Sequence, residues 1–393
     1  MDLKKPIYLD NHATTPVDPR VLEAMLPYFT EIFGNPASKN HGYGNEAFKA
    51  VEESRETLAK AIKARSQEII FTSGATESIN LAIKGTAVAN RARGKHFITV
   101  ATEHKAVLDC FDWLAANGFE TTILPVDAEG LLDPVQVANA IRPDTILVSV
   151  MAANNEIGVI QPLEEIGKIC RAKGVYFMTD ATQALGKIPL DVQHLHVDLL
   201  AASGHKVYGP KGIGFLYVRR SNPRVIIEPI IHGGGHEKGL RSGTLATPNI
   251  VGLAKAVEIS IKEMAKEQKR LGELRDQLQN LLLAAISEAK VNGSLKHRLA
   301  GNLNITFPGV QSEALMIALR SEFAVSSGSA CTTAAVLPSH VLKAIGLTDE
   351  ESHSSIRFGV GRFTTEENVL YAAKRIPDEL RRLSHLKAVF TKV

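Results

Sequence analysis

Cysteine is scarce in this sequence: Cys110, Cys170 and Cys331 are the only three among 393 residues. Three thiols cannot build a disulfide framework for so long a chain, and their rarity points to a reducing compartment. Long apolar runs are absent as well. Nothing approaches the ~20 residues that a bilayer-spanning helix requires. The N-terminus offers only Ile7-Tyr8-Leu9 after its charged residues, too little for the apolar core of an export signal. Nor does one sign of charge dominate. A formal net charge of +3, dispersed along the chain, provides no basic surface for nucleic acid. The expectation is a cytoplasmic protein with no membrane segment and no direct nucleic-acid contact. What is present is ordinary globular material: 45% apolar and 22% charged residues exclude a disordered chain, a collagen-like repeat and a coiled-coil rod. At ~150 residues per domain, the length suggests roughly two to three folding units.

Helix-period segments at 51–64, 77–87, 105–117, 134–141 and 163–172 alternate with short β-rich runs at 68–72, 96–101, 121–125, 145–151, 175–180 and 199–202. Such alternation predicts an α/β fold: a large domain whose mostly parallel sheet is flanked by helices on both faces. Around residue 250 the character changes. The stretch 251–290 is rich in Ala, Leu, Glu and Lys at helical spacing and reads as one or two long helices. Beyond it come a strand at 303–307, a helix at 312–320, a strand at 354–360 and a helical tail from Thr365, which Pro377 is expected to kink or restart. We place a large domain at 15–255 and a smaller α+β C-terminal domain at 256–393, joined by residues 1–14.

Two glycine-rich segments could receive an anion. Ser73-Gly74-Ala75-Thr76 follows a predicted strand and opens a predicted helix, where unpaired N–H groups and the helix dipole favour a phosphate. Taken alone it reads as a Ser/Thr helix cap. Gly233-Gly234-Gly235, continuing to Arg241-Ser242-Gly243-Thr244, permits close backbone approach to an anion, and taken alone is a flexible loop. Gly209-Pro210-Lys211-Gly212-Ile213-Gly214 lacks the dinucleotide spacing and precedes a strand, and no P-loop motif exists. His194-Leu195-His196 has metal-like alternation, yet no cysteine or acidic cluster completes a zinc set, so it reads as surface histidine and no metal is expected.

Ser203-Gly204-His205-Lys206 changes the odds. It stands just beyond the predicted strand 199–202, where an α/β sheet presents its ligands, and Asp180 ends another strand. A lysine that can condense with an aldehyde, and an aspartate that can keep a pyridine nitrogen protonated, are the two groups a pyridoxal 5'-phosphate (PLP) site requires. Phosphate donors of the kind just described are the third. With these residues in view, the chain resembles the cysteine desulfurases of iron–sulfur assembly, in the class V aminotransferase group of fold-type I PLP enzymes. The resemblance runs over nearly the whole chain. It is carried by Tyr8-Leu9-Asp10-Asn11, Thr72-Ser73-Gly74-Ala75-Thr76-Glu77-Ser78, Glu103-His104, Asn154-Asn155-Glu156-Ile157-Gly158, Asp180-Ala181-Thr182-Gln183, Ser203-Gly204-His205-Lys206, Arg241-Ser242-Gly243-Thr244 and Ser326-Ser327-Gly328-Ser329-Ala330-Cys331.

The resemblance implies a role for each matched position. Lys206 would hold PLP through its amine, Asp180 would pair with the ring nitrogen and Gln183 with the ring hydroxyl. His104 would stack on the ring and assist proton transfer. Thr76, Ser203 and His205, with the backbone of Ala75, would bind the phosphate. Thr244 would reach the partner subunit's cofactor, which implies a homodimer. Asn155 and Arg357 would hold the carboxylate of L-cysteine, a task suited to the planar fork of an arginine. Cys110 and Cys170 lie in amphipathic helical segments and read as small buried hydrophobes. Cys331 lies among Ser, Gly, Ala and Thr, poor core material and suited to an accessible loop. The resemblance makes it the nucleophile that takes the substrate's sulfur, leaving alanine and a persulfide to be handed to an acceptor such as an iron–sulfur scaffold. The tail 383–393 is shorter than the scaffold-docking tail of such enzymes. Two rival readings are a selenocysteine lyase or other class V PLP enzyme, and a non-catalytic subunit of a sulfur relay.

Overall fold

The computed structural model describes residues 6–327 and 337–390. Twelve strands occur among them: β1 (Ile7–Tyr8), β2 (Ile69–Thr72), β3 (His96–Val100), β4 (Glu120–Leu124), β5 (Thr145–Ser149), β6 (Tyr176–Asp180), β7 (Leu199–Ser203), β8 (Gly214–Val218), β9 (Lys290–Val291), β10 (Asn302–Thr306), β11 (Phe323–Ala324) and β12 (Ser355–Gly359). Seven form one sheet in the order β2-β8-β7-β6-β5-β3-β4. Only β8 runs against its neighbours; the pairs β3–β4, β3–β5, β5–β6 and β6–β7 are parallel.

Side chains on a strand alternate between faces, and here the alternation feeds two cores. Ile98, Val148, Phe177 and Phe215 enter one apolar cluster, while their neighbours Phe97, Leu147, Met178 and Leu216 enter a second. Both faces are therefore covered, which is why these strands are near-continuous apolar runs in the sequence.

A smaller antiparallel sheet, β12-β10-β9, packs with the helices Ser312–Leu319 and Glu366–Phe390 around a third cluster that includes Leu303, Ile305, Ile356, Phe358 and Val369. The N-terminal β1 pairs with β11, so the first residues of the chain join this part of the molecule. One helix, Thr247–Ala285, accounts for the long helical stretch; its Ile250, Leu253 and Val257 pack in the first cluster and its Leu274, Leu278 and Leu282 in the third. Position 255 lies inside it. Pro377 does not end the terminal helix, which runs from Glu366 to Phe390. The proline costs one helical hydrogen bond, but Ala372, Ala373, Ile376 and Leu380 on either side of it are buried in the same cluster, so packing holds both halves of the helix.

Candidate active site

Parallel strands place their C-terminal ends along one edge of the sheet, and the loops leaving that edge carry the candidate residues. Ser73 follows β2, His104 lies beyond β3, Asn155 beyond β5, Asp180 ends β6, and Lys206 follows β7 in a short 3-10 turn, Gly204–Lys206. They converge on a cavity of about 1160 Å³. Ala75, Thr76, His104, Asn155, Asp180, Gln183, Ser203, His205, Lys206 and Arg357 all line it. Thr244 does not; it is exposed on the surface. Cys331 lies outside the described residues.

The Lys206 amine donates to the main-chain oxygens of His12 (2.7 Å) and Ala13 (2.6 Å). Thr15 secures the same turn: its N–H and hydroxyl both donate to the His205 carbonyl, at 2.9 and 3.0 Å. The N-terminal segment thus lies directly against the lysine. Asp180 is 5% exposed; its Oδ1 accepts from the Thr182 N–H at 2.9 Å, and its Oδ2 has no donor among the described residues. His104 caps the helix Lys105–Ala116, with Nδ1 accepting from the Ala106 N–H at 3.1 Å. Burial pushes His104 below the usual histidine range, against the pull of the Asp180 carboxylate. The neutral ring therefore carries its proton on Nε2.

The helix Ala75–Ala89 begins at Gly74 with no side chain capping its N–H groups, so the Ser/Thr cap expected of the isolated loop is not formed. The reason is conformational. Gly74 adopts φ +156° with an extended ψ of −178°, a glycine-only combination, and serves as the N-cap itself. Glu77 reaches back instead, accepting from the Ser73 N–H at 2.7 Å and pairing with Arg241 at 2.8 Å. Ser203 and His205 face the same opening. His205 is pushed down to about 4, first by burial and then by the Lys206 charge, and its Nδ1 lies 3.0 Å from the Thr14 hydroxyl.

A family model described as aminotransferase class-V matches residues 7–371. The chain belongs to the class-V aminotransferase family. Cysteine desulfurase IscS of Anaeromyxobacter dehalogenans (strain 2CP-C) is 54% identical over 391 residues, covering 100% of this chain and 96% of that protein. Among solved structures, a NifS-like protein superimposes with a TM-score of 0.90 at 39% identity, covering 96% of this chain and 100% of that one. A structure of SspA in complex with cysteine does so with 0.78 at 38% identity, covering 91% and 100%.

Class-V aminotransferases of this kind depend on PLP, and the residues present fit that group. An uncapped helix start suits a dianionic phosphate. Oδ2 of Asp180, which has no donor among the described residues, suits a protonated ring nitrogen, and Lys206 stands on the same cavity wall.

Arg357, assigned to the substrate carboxylate by the family resemblance, is held by partners that the sequence did not reveal, and Glu103 and Glu156 received no role there. Arg357 donates to Asp10 Oδ1 (2.8 Å) and to the Asn155 carbonyl (3.0 Å), so its fork is steadied before any substrate arrives. Its Nε is buried without a partner among the described residues. Glu103 is fully buried, and neither carboxyl oxygen has a well-formed hydrogen bond among the described residues. Burial, and after it the Asp180 charge, pushes its carboxyl well above the usual carboxylate range. Glu156 accepts from the Ser339 hydroxyl at 2.5 Å. One clue was available for Glu156: it is the only charged residue between 151 and 160.

Proposed function

We infer that this chain is a PLP-dependent cysteine desulfurase, converting L-cysteine to L-alanine and passing the sulfur to its own Cys331. The observation that carries the reading is the placement of the Lys206 amine on one cavity wall with Asp180 and an uncapped helix start, in a chain 54% identical to curated cysteine desulfurases. When bound, PLP supplies the electron sink that makes the substrate's Cα proton labile. Lys206 Nζ takes that proton. Asp180 keeps the ring nitrogen protonated, and the neutral His104 offers its Nε2–H within the cavity. Arg357 and Asn155 hold the substrate carboxylate. The Cys331 thiolate attacks the substrate's sulfur; the Cβ–S bond breaks, Cβ gains a proton, and alanine leaves a persulfide on Cys331.

We assign the sulfur to iron–sulfur cluster assembly or another thiolation, through a protein acceptor. The compartment is the cytoplasm, a reading supported by two free buried thiols, Cys110 and Cys170. Among the described residues no helix is long and apolar enough to cross a membrane. The working unit is a homodimer in which Thr244 reaches the partner's phosphate; its exposure in the single chain is what that role needs. The division at 15–255 and at 256–393 with 1–14 is the domain arrangement we propose.

Spectra and product release test the reading together. The purified protein should show the visible band of a lysine-bound PLP, and Lys206→Ala should lose it; a colourless wild type with no PLP affinity overturns the assignment. Cys331→Ala should keep the band while releasing neither alanine nor sulfide from L-cysteine. Full activity in that variant would place the nucleophile elsewhere, and a preference for selenocysteine in the same assay would favour the lyase reading.

A further inference from the structure

Gln183 sits on the cavity wall in the turn that follows β6, and its amide is engaged at both ends. Its Nε2 donates to the His12 carbonyl at 2.8 Å. Its Oε1 is approached by Lys187 Nζ and by His12 Nδ1, each at 3.1 Å. The His12 carbonyl defines the amide's orientation, because a carbonyl oxygen only accepts and so must meet Nε2. The Lys187 amine, donating to Oε1, favours the same orientation. Oε1 is committed to the protein interior, and one hydrogen of Nε2 is left over.

Lys187 is an unusual neighbour. It lies four residues along the same turn, does not line the cavity, and has no carboxylate at ion-pair distance among the described residues. Among the described residues, Gln183 is the one hydrogen-bond partner of its amine. Burial, and after it the charge of Lys206, pushes its amine down to about 7. A lysine amine in such surroundings is costly to keep, and an apolar residue would pack there without that cost.

We propose that Lys187 is a positioning residue of the cofactor site, fixing the Gln183 amide so that an N–H, and not a C=O, meets the phenolic oxygen of PLP. This rests on reading the cavity as a PLP site with Gln183 at the ring oxygen. Amide oxygen and nitrogen are nearly isosteric, so the group turns over readily when its neighbours permit. A reversed amide would set its oxygen against the cofactor's phenolate, two acceptors face to face. Lys187 and the His12 carbonyl oppose that reversal from two sides, and Lys187 does so without touching the cofactor.

The test compares Lys187→Met with Lys187→Arg, Gln183→Leu and the Lys187→Met/Gln183→Leu double variant. The readouts are the visible absorption spectrum of the holoenzyme and the PLP affinity of the apo-protein. Lys187→Met should shift the band and weaken PLP binding about tenfold. Lys187→Arg, which keeps a donor, should restore both. The double variant should be no worse than Gln183→Leu alone, because the two residues act on one contact. If Lys187→Met lowers only the melting temperature and leaves spectrum and affinity unchanged while Gln183→Leu alters them, Lys187 is structural and the proposal falls. If Gln183→Leu changes nothing, the ring-oxygen contact is wrong and the proposal falls with it. A wild type that binds no PLP overturns the cofactor reading itself. Should Lys187→Met fail to fold, Lys187→Ala carries the same comparison.

Discussion

Glu156 shows what a single side chain does to the stability of this site. Burial raises its carboxyl from 4.5 to about 7, against the Ser339 hydrogen bond and the Arg357 charge, which both pull it down. As pH rises, the unfolded chain releases this proton near 4.5 while the folded chain keeps it until about 7. The folded state therefore binds more protons across that window, and stability falls as pH increases through it. Glu156→Gln retains an acceptor for Ser339 and removes the titration. It should be close to neutral at pH 5 and more stable than wild type at pH 8, by an upper bound of about 3 kcal/mol. Melting curves at the two pH values decide; equal destabilisation at both would show the shift is not there. Lys206, Asp180 and His104 were legible in the sequence because each stands beside a strand end in a short motif. Glu103, Glu156 and Lys187 were not, since a charged residue in a sequence reads as surface until its burial is seen.

At the level of elements, the start of β8 presses on the loop at Gly74, the proposed phosphate site. A Cβ at Gly214 would stand 2.4 Å from the Ala202 carbonyl and 2.7 Å from the Gly74 Cα. Both are backbone atoms, so Gly214→Ala has to move the strand or the loop. We expect a loss of about 1–3 kcal/mol in denaturant unfolding, together with weaker PLP binding by the apo-protein. A variant unchanged in both would show that the loop is not held by this contact. The strand that follows Gly214 was visible in the sequence; its reversed direction was not. A strand buried on both faces has the same apolar composition whichever way it runs. The helix Gly42–Ala61 began nine residues before the predicted start, because its first turn, Gly42-Tyr43-Gly44, lacks helical propensity and is capped by the His41 ring, whose Nδ1 accepts from the Gly44 N–H at 3.1 Å.

At the scale of the whole molecule, the single chain leaves Leu22, Leu26, Phe29, Phe33, Tyr43 and Phe48 exposed, with Phe29 at 55% and Phe33 at 62%. Phe33 and Tyr43 already stack at 5.3 Å. Large exposed side chains so concentrated mark an association surface, and Phe48 shares a smaller cavity with His236 and Glu237, on the segment that leads to Thr244. The proposed dimer would cover this surface. Wild type should show twice the chain mass by light scattering and a melting temperature that rises with concentration. Phe29→Glu/Phe33→Glu should give the single-chain mass, and a dimer of undiminished stability would place the interface elsewhere. Pairing between subunits was implied only by family resemblance, because exposure is a property of the folded surface and not of the residue type.

The helix Thr247–Ala285 has a consequence for how the molecule comes apart. At ~1.5 Å per residue its 39 residues extend for roughly 58 Å, with one end seated in the large core and the other in the small. Loss of either core strands half of this rod with its apolar stripe in water. The two cores are thus mechanically married, and the chain should melt in one step. The proposed division at residue 255 describes an architecture without conferring independence: a cut there falls within the first quarter of the helix and severs it from the end seated in the large core.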